Sequence, residues 1–128
     1  MIHINAFQLY CGLRKMPHCV ITTNVLGTSK VLSRKVVTAV AEGLSVPPEY
    51  VKSTTNVDEN LIFDMSDAPA AIVNLAFIGP TDVEKNNSVA GALTTLLNSE
   101  LRIDPNRISI LIETFPATAF ALGGKVFE

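Results

Sequence analysis

An internal repeat is the feature of this sequence that most restricts its fold. Five positions of the first half match positions 57 residues further on: Leu44, Val46, Pro48, Tyr50 and Val51 correspond to Leu101, Ile103, Pro105, Arg107 and Ile108. Around them, each half reads as strand, helix, proline turn and strand. Because crossovers between parallel strands are right-handed, two such units side by side place both helices on one face of the sheet. The sequence therefore predicts an α/β (α+β) fold, a tandem β-α-β repeat with a four-stranded sheet whose other face is uncovered.

The first unit begins in an apolar, β-branched run at residues 18–25, which predicts a strand. Thr28 or Ser29 can then cap a helix, whose apolar residues recur at four-residue intervals up to Leu44. Pro47-Pro48 ends that helix, and the threonine-rich stretch that follows favours a strand at 51–57.

The second unit repeats this order. Its first strand is the most apolar stretch of the chain, Ala70 to Ile78, and its last strand runs from Ile108 to Phe115. Between them, Asn86-Asn87-Ser88 is expected to cap the second helix. Gly123-Gly124 predicts a turn before a short C-terminal strand.

Composition bears on what covers the open face of the sheet. Only 17% of the 128 residues are charged, against about 25% in an ordinary soluble domain. A chain of this length forms one domain, so we expect the open face to be buried by closed, symmetric self-association. No apolar run approaches the ~20 residues of a membrane span. The net charge of -2 includes no basic stripe, and we expect no nucleic-acid partner.

The sulfur, imidazole and carboxylate groups do not predict a metal site. Cys11 and Cys19 favour free thiols, although a single bridge between them stays open. His3 and His18 are not spaced like ligands of a zinc site. The acidic stretch 58–67 is interpreted as a solvated loop. The sequence thus predicts no metal and no cofactor.

Residues 1–15 read differently from the rest of the chain. They could form an extra strand or ordered arm, a degenerate targeting segment, or an upstream extension of a chain that truly starts at Met16. The last interpretation is favoured, because a coherent domain begins at Met16 and a secretory signal would carry its basic residues first, not at Arg14 and Lys15. We therefore divide the chain into an N-terminal extension, 1–15, which need not belong to the mature chain, and a domain, 16–128.

Several short motifs carry a resemblance to a known family. They are Met16-Pro17 followed by Thr23-Asn24-Val25, Pro47–Val51, Pro69, Ile78-Gly79 and Leu101–Ile108. In their order and spacing the chain resembles the family of macrophage migration inhibitory factor and D-dopachrome tautomerase. The resemblance implies the tautomerase fold, a homotrimer and keto–enol tautomerisation of phenylpyruvate or dopachrome-type substrates. It also implies cytokine-like activity through a cell-surface receptor, and a cytoplasmic location or release from cells without a signal peptide.

The family's catalytic base is an N-terminal proline, and the position that matches it is Pro17. A free α-amine titrates near a pKa of about 8, and an apolar pocket lowers that pKa further by disfavouring the charged form. A neutral amine can take a proton from a carbon next to a carbonyl. Inside a peptide bond the same nitrogen has no usable basicity. Catalysis therefore requires that Pro17 be the first residue of the mature chain.

Other pocket positions match the family in part. Ile78 and Gly79 agree with the pair whose backbone lines the substrate pocket. The lysine that holds the substrate carboxylate is replaced by Val46, and a tyrosine and an asparagine of the last strand are replaced by Ser109 and Leu111. Three lysines could substitute from a neighbouring subunit: Lys30, Lys52 and Lys125.

These residues leave three functional hypotheses. The first is a tautomerase, active or weakly active, with Pro17 as base. The second is a catalytically impaired trimer of the same fold that acts only in binding and signalling. The third is a structural β-α-β oligomer with an unrelated small ligand. Val46 separates the first two, because an apolar side chain cannot pair with a substrate carboxylate.

Overall fold

Two helices lie against one face of a mixed four-stranded sheet in the computed structural model, which describes residues 14–127. The helices are α1, Lys30–Leu44, and α2, Val83–Leu101. The four strands are β1, His18–Thr23; β2, Lys52–Val57; β3, Ala71–Ile78; and β4, Ile108–Phe115. Their order in the sheet is β2-β1-β3-β4, parallel within each unit and antiparallel where β1 meets β3. The tandem β-α-β fold predicted from the repeat is confirmed.

The repeat extends to the way each helix ends. Ser45 and Arg102, again 57 residues apart, both follow the last helical residue in the left-handed conformation, with φ of 56° in each case. Short 3-10 helices then occupy Pro48–Tyr50 and Pro105–Arg107 before β2 and β4 begin. The proline turns thus reverse the chain in the same way in both halves and set the two parallel strand pairs.

The core lies between the sheet and the helices. On β3, Val73, Leu75 and Phe77 are buried and face the helices. They meet the apolar residues of both helices, which are Leu32, Val36, Val40, Leu44, Val89, Leu93, Leu97 and Leu101. The helices cross closely at Gly43, where an added Cβ would come within 2.6 Å of Val89 Cα. A side chain at position 43 would therefore force the helices apart.

The opposite face of the sheet is open within the chain. Ile72 is 41% exposed and Leu111 is 53% exposed. Asn74 pairs with Leu111 across the strands, and Ile72 pairs with Ser109. This face therefore carries a mixture of apolar and polar side chains.

Two helix caps and the C-terminal hairpin test the local predictions. Ser29 caps α1, since its Oγ accepts a hydrogen bond from Leu32 N at 3.2 Å. The predicted cap of α2 at Asn86–Ser88 is wrong: the helix begins at Val83, and its cap is Asp82, whose Oδ1 accepts a hydrogen bond from Lys85 N at 2.8 Å. Asn86 instead accepts from Thr81 Oγ1 at 2.7 Å. The hairpin is confirmed, with β5, Ala121–Leu122, pairing with β6, Lys125–Val126.

The loop between β2 and β3 is held by two side chains. Asn24 Nδ2 donates to the Ala68 carbonyl at 3.0 Å, and its Oδ1 accepts from Ala70 N at 2.9 Å. Arg107 donates to four loop carbonyls, those of Phe63, Ser66, Ala68 and Pro69. Asn24 of the family-like motif is thus a structural residue.

Within residues 14–127, no helix has the length and apolar character needed to cross a membrane.

Candidate active site around Pro17

Pro17 is a buried residue that directly precedes β1. Its carbonyl oxygen accepts a hydrogen bond from the backbone N–H of Lys52 at 2.9 Å, which joins the start of β1 to the start of β2. Because this bond continues the parallel pairing of His18 with Lys52, the sheet itself fixes where Pro17 lies. In the chain described here, the Pro17 nitrogen is acylated by Met16.

An apolar cluster surrounds this end of the sheet. Met16, Ile78 and Phe127 are buried and pack together, with exposures of 6%, 5% and 6%. Four partly buried residues complete the cluster: Tyr50, Phe115, Ala117 and Phe120. The Phe120 ring lies 5.2 Å from that of Phe127 and 6.2 Å from that of Phe115, between centroids. An amine next to such a cluster would be disfavoured in its charged form, which lowers its pKa.

Residues 14–16, called the lead-in segment below, lie across this cluster. The backbone carbonyl of Lys15 accepts a hydrogen bond from the backbone N–H of Ile78 at 2.8 Å. Met16 N–H donates back to the Arg14 carbonyl. Lys15 and Met16 both have φ of 46°, in the left-handed region that non-glycine residues seldom adopt. The lead-in segment thus occupies the backbone N–H of Ile78.

Two lysines flank the cluster. Lys52 Nζ lies 3.5 Å from the Met16 carbonyl oxygen and 5.0 Å from the centroid of Phe120. Lys15 Nζ lies 3.5 Å from the Pro80 carbonyl oxygen and 5.7 Å from the centroid of Phe77. Burial lowers the pKa of Lys52. Burial and the like charge of Lys85 lower the pKa of Lys15.

Val46 lies in a different part of the molecule. It is buried at 7% exposure within the main core, and not in the cluster of Met16, Ile78 and Phe127. It lines a cavity of about 350 Å³ together with Thr38, Ala41, Glu42 and Pro48. That cavity has one carboxylate and no cation in its lining, so it does not suit a carboxylate ligand. That position 46 supplies no carboxylate anchor to the Pro17 site stays a prediction.

The remaining sequence candidates are dispersed. Ser109 and Leu111 are exposed on β4, Lys30 is the first residue of α1, and Lys125 lies in β6. The aromatic residues at 115, 120 and 127 were not assigned to the site from sequence. Phe115 breaks the period-two burial along β4, and the short C-terminal elements carry no pattern that would place the other two.

The sulfur and metal predictions concern two cysteines and two histidines. Cys19 is a buried free thiol, and burial raises its pKa to about 12, so the thiolate form is suppressed. Cys11 and His3 lie outside the described residues, and His18 is exposed. Over residues 14–127, no three His, Cys, Asp or Glu side chains are grouped so that they could hold a metal ion.

Comparison with known proteins gives one consistent result. Residues 16–128 match the family described as "Macrophage migration inhibitory factor (MIF)". The chain is 33% identical over 114 residues to a macrophage migration inhibitory factor homolog of Brugia malayi, covering 88% of this chain and 99% of the relative. It is 32% identical, with the same coverage, to a homolog of Wuchereria bancrofti. The solved macrophage migration inhibitory factor of Trichinella spiralis is 28% identical and superposes with a TM-score of 0.78, over 86% of this chain and 99% of the other.

Proposed function

Because the chain belongs to the macrophage migration inhibitory factor family and has the tautomerase fold, we propose that its form beginning at Pro17 is a keto–enol tautomerase. The relatives are matched over 99% of their length by this chain, and both helices and all four sheet strands follow Pro17. We therefore expect the segment from Pro17 onward to fold without residues 1–16.

The observation that carries the proposal is the position of Pro17 next to the apolar cluster. Once the bond to Met16 is absent, the Pro17 nitrogen is a secondary amine at the place where Met16 joins the cluster with Ile78 and Phe127. The ordinary pKa of an α-amine is about 8, and this environment lowers it. A large fraction of the amine is then neutral near pH 7, as a general base requires.

The chemistry balances without any further reactant except water. The Pro17 nitrogen takes a proton from the carbon next to a substrate carbonyl. The electron pair of that C–H bond forms the enol double bond, and the carbonyl π pair moves to the oxygen, which takes a proton from water. The protonated amine then returns its proton to water. The backbone N–H of Ile78 is suited to donate a hydrogen bond to a substrate oxygen, and the aromatic residues are suited to an aryl group.

The full chain should lack this activity for two reasons. Its Pro17 nitrogen is an amide, and its lead-in segment already holds the Ile78 N–H through the Lys15 carbonyl. The test compares three proteins with phenylpyruvate as substrate: the full chain, the chain starting at Pro17, and that shorter chain acetylated on its amine. We expect turnover only with the free amine. Equal rates for all three proteins would rule out Pro17 as the base.

A second candidate function is favoured by the substitutions at the family's pocket positions. Val46, Ser109 and Leu111 stand where many members carry a lysine, a tyrosine and an asparagine. The alternative is a trimer that binds a cell-surface receptor without catalysis. Stable trimers and receptor binding by both the free-amine and the acetylated chains, with no turnover by either, would support it.

We further propose that the protein is a homotrimer whose subunits meet on the open face of the sheet. The proposal is supported by the exposure of Ile72 and Leu111 on that face and by the low charge content of the chain. Burial of such side chains favours association by about 25 cal/mol per Å² of apolar surface.

A further inference from the structure

We propose that Lys52 is the carboxylate-binding residue of the Pro17 site, and that it sets the preference of the site for the free acid over the neutral ester of a substrate. This inference rests on the proposed function in one respect: the site must be free of the lead-in segment. It goes beyond that function because it assigns the role of the family's lysine, whose position is Val46 in this chain, to Lys52 on β2 of the same subunit.

The first argument is the place of the Lys52 ammonium. Its Nζ lies 3.5 Å from the Met16 carbonyl oxygen, and that carbonyl is the acyl group attached to the Pro17 nitrogen. When Pro17 is the first residue, this oxygen is absent, and the ammonium faces the space next to the amine. An anionic oxygen there would complete a charge-assisted hydrogen bond.

The second argument is the absence of a competing partner. Among residues 14–127, the ion pair that forms is between Lys35 and Glu100, and no carboxylate of that range pairs with Lys52. The ammonium instead lies over the Phe120 ring, at 5.0 Å from its centroid. Contact with the ring leaves its hydrogen-bond donors available to a ligand. Partial burial of Lys52, which lowers its pKa, also strengthens its interaction with an anion.

The third argument is that the lead-in segment has the groups of such a ligand. Its Met16 carbonyl oxygen lies next to Lys52 Nζ, and its Lys15 carbonyl oxygen accepts from Ile78 N–H at 2.8 Å. The Met16 side chain fills the apolar cluster with Ile78 and Phe127. A molecule that replaces the segment needs two nearby oxygen acceptors and one apolar group. An aryl 2-oxo acid has all three.

The cavity next to Val46 is not suited to hold the carboxylate of a substrate, because of the residues that line it. The cavity at Val46 contains Glu42, whose negative charge opposes a second carboxylate. Lys52 thus gives the site a cation that the residue at position 46 does not.

The test uses the chain that begins at Pro17 and two Lys52 variants. Lys52→Met keeps the length of the side chain and removes its charge, whereas Lys52→Arg keeps a charge. Lys35→Met is the matched control, since Lys35 is an exposed lysine on α1 that is paired with Glu100. Substrates are phenylpyruvate and its methyl ester. Ligand binding is followed by NMR titration with 3-phenylpropanoate and the corresponding neutral amide, neither of which can tautomerise.

We expect Lys52→Met to raise KM for the free acid and Kd for 3-phenylpropanoate by about ten- to a hundredfold, because the variant loses one charge-assisted hydrogen bond. The ester and the amide should change by less than about twofold, as should all ligands with Lys35→Met. Lys52→Arg should restore most of the binding. Unchanged Kd for 3-phenylpropanoate in Lys52→Met would overturn the inference, whether or not the protein has turnover. Binding that depends on Lys52 without any turnover would support the inference and reject the proposed function.

Discussion

The backbone N–H of Ile78 donates a hydrogen bond to the backbone carbonyl of Lys15 at 2.8 Å. This contact joins the segment before Pro17 to the strand end that borders the candidate site. Since one N–H cannot serve the lead-in segment and a substrate oxygen equally well, occupation by the segment and by substrate exclude each other. The same peptide segment converts the Pro17 nitrogen into an amide, so a single processing event would free both groups.

The Ile78 contact can be tested by amide hydrogen exchange. In the full chain we expect the Ile78 N–H to be protected, and in the chain that begins at Pro17 to exchange at least about tenfold faster, because its acceptor is gone. The Gly79 N–H is the control, since it donates to the Phe115 carbonyl at 3.0 Å and this acceptor is present in both chains. Equal protection of Ile78 in the two proteins would show that the lead-in segment does not cover this amide.

Adjacent residues of β3 should separate assembly from folding. Val73 is 1% exposed and faces the helices, whereas Ile72 is 41% exposed on the open face. We expect Val73→Asp to unfold the domain, because burying an unpaired carboxylate costs several kcal/mol. Ile72→Asp should leave a folded monomer. Circular dichroism reports folding and sedimentation velocity reports assembly. A trimer that survives Ile72→Asp unchanged would place the interface elsewhere.

Two helical glycines should respond in opposite directions to alanine. At Gly43 a Cβ would lie 2.6 Å from Val89 Cα, so Gly43→Ala should destabilise the domain by about 1–3 kcal/mol as the helices separate. At Gly91 nothing lies within 4 Å of an added Cβ, so Gly91→Ala should gain up to about 1 kcal/mol from helix propensity. Urea denaturation measures both. Equal gains at the two positions would contradict the close helix crossing.

The pH dependence of substrate binding should carry the signature of Lys52. Its ammonium is present below its pKa, and burial lowers that pKa from the ordinary value. KM for phenylpyruvate should therefore rise as the pH passes through this lowered pKa. The rise should occur at a lower pH than it would with a lysine of ordinary pKa. KM for the methyl ester should not show this step. The ratio of the two KM values, followed from about pH 6 to about pH 11, past the ordinary lysine pKa of about 10.4, removes effects common to both substrates. A constant ratio would contradict a role for Lys52.

The architecture was predictable because its determinants are local and repeated. Pro48 and Pro105 follow two helices whose apolar residues recur at helical spacing, so the strand–helix–turn–strand order appears twice in the sequence. The start of α2 was not predictable in the same way. Asp82 and Asn86 are both acceptable cap residues, and the structure distinguishes them: Asp82 accepts from the backbone N–H of Lys85, whereas Asn86 accepts from the Thr81 hydroxyl.

The candidate site was predictable in part. Pro17 and Ile78 could be identified by resemblance to the family, whereas the aromatic cluster depends on where the C-terminal hairpin folds back. Sequence left Lys52 as one of three lysines that could reach the site of a neighbouring subunit. Its position beside Met16 of its own chain follows from the pairing of β1 with β2 in the register of His18 with Lys52, which no local pattern specifies.

The most direct test of Pro17 as the base is the titration of its amine. The chain is prepared with Pro17 as its first residue and ¹⁵N-labelled proline, and the chemical shift of the Pro17 nitrogen is followed with pH. We predict a pKa below the ordinary value of about 8, equal to the pKa at which kcat/KM for the methyl ester of phenylpyruvate rises with pH. An amine that titrates at its ordinary pKa, with a rate that does not follow its deprotonation, would contradict the account.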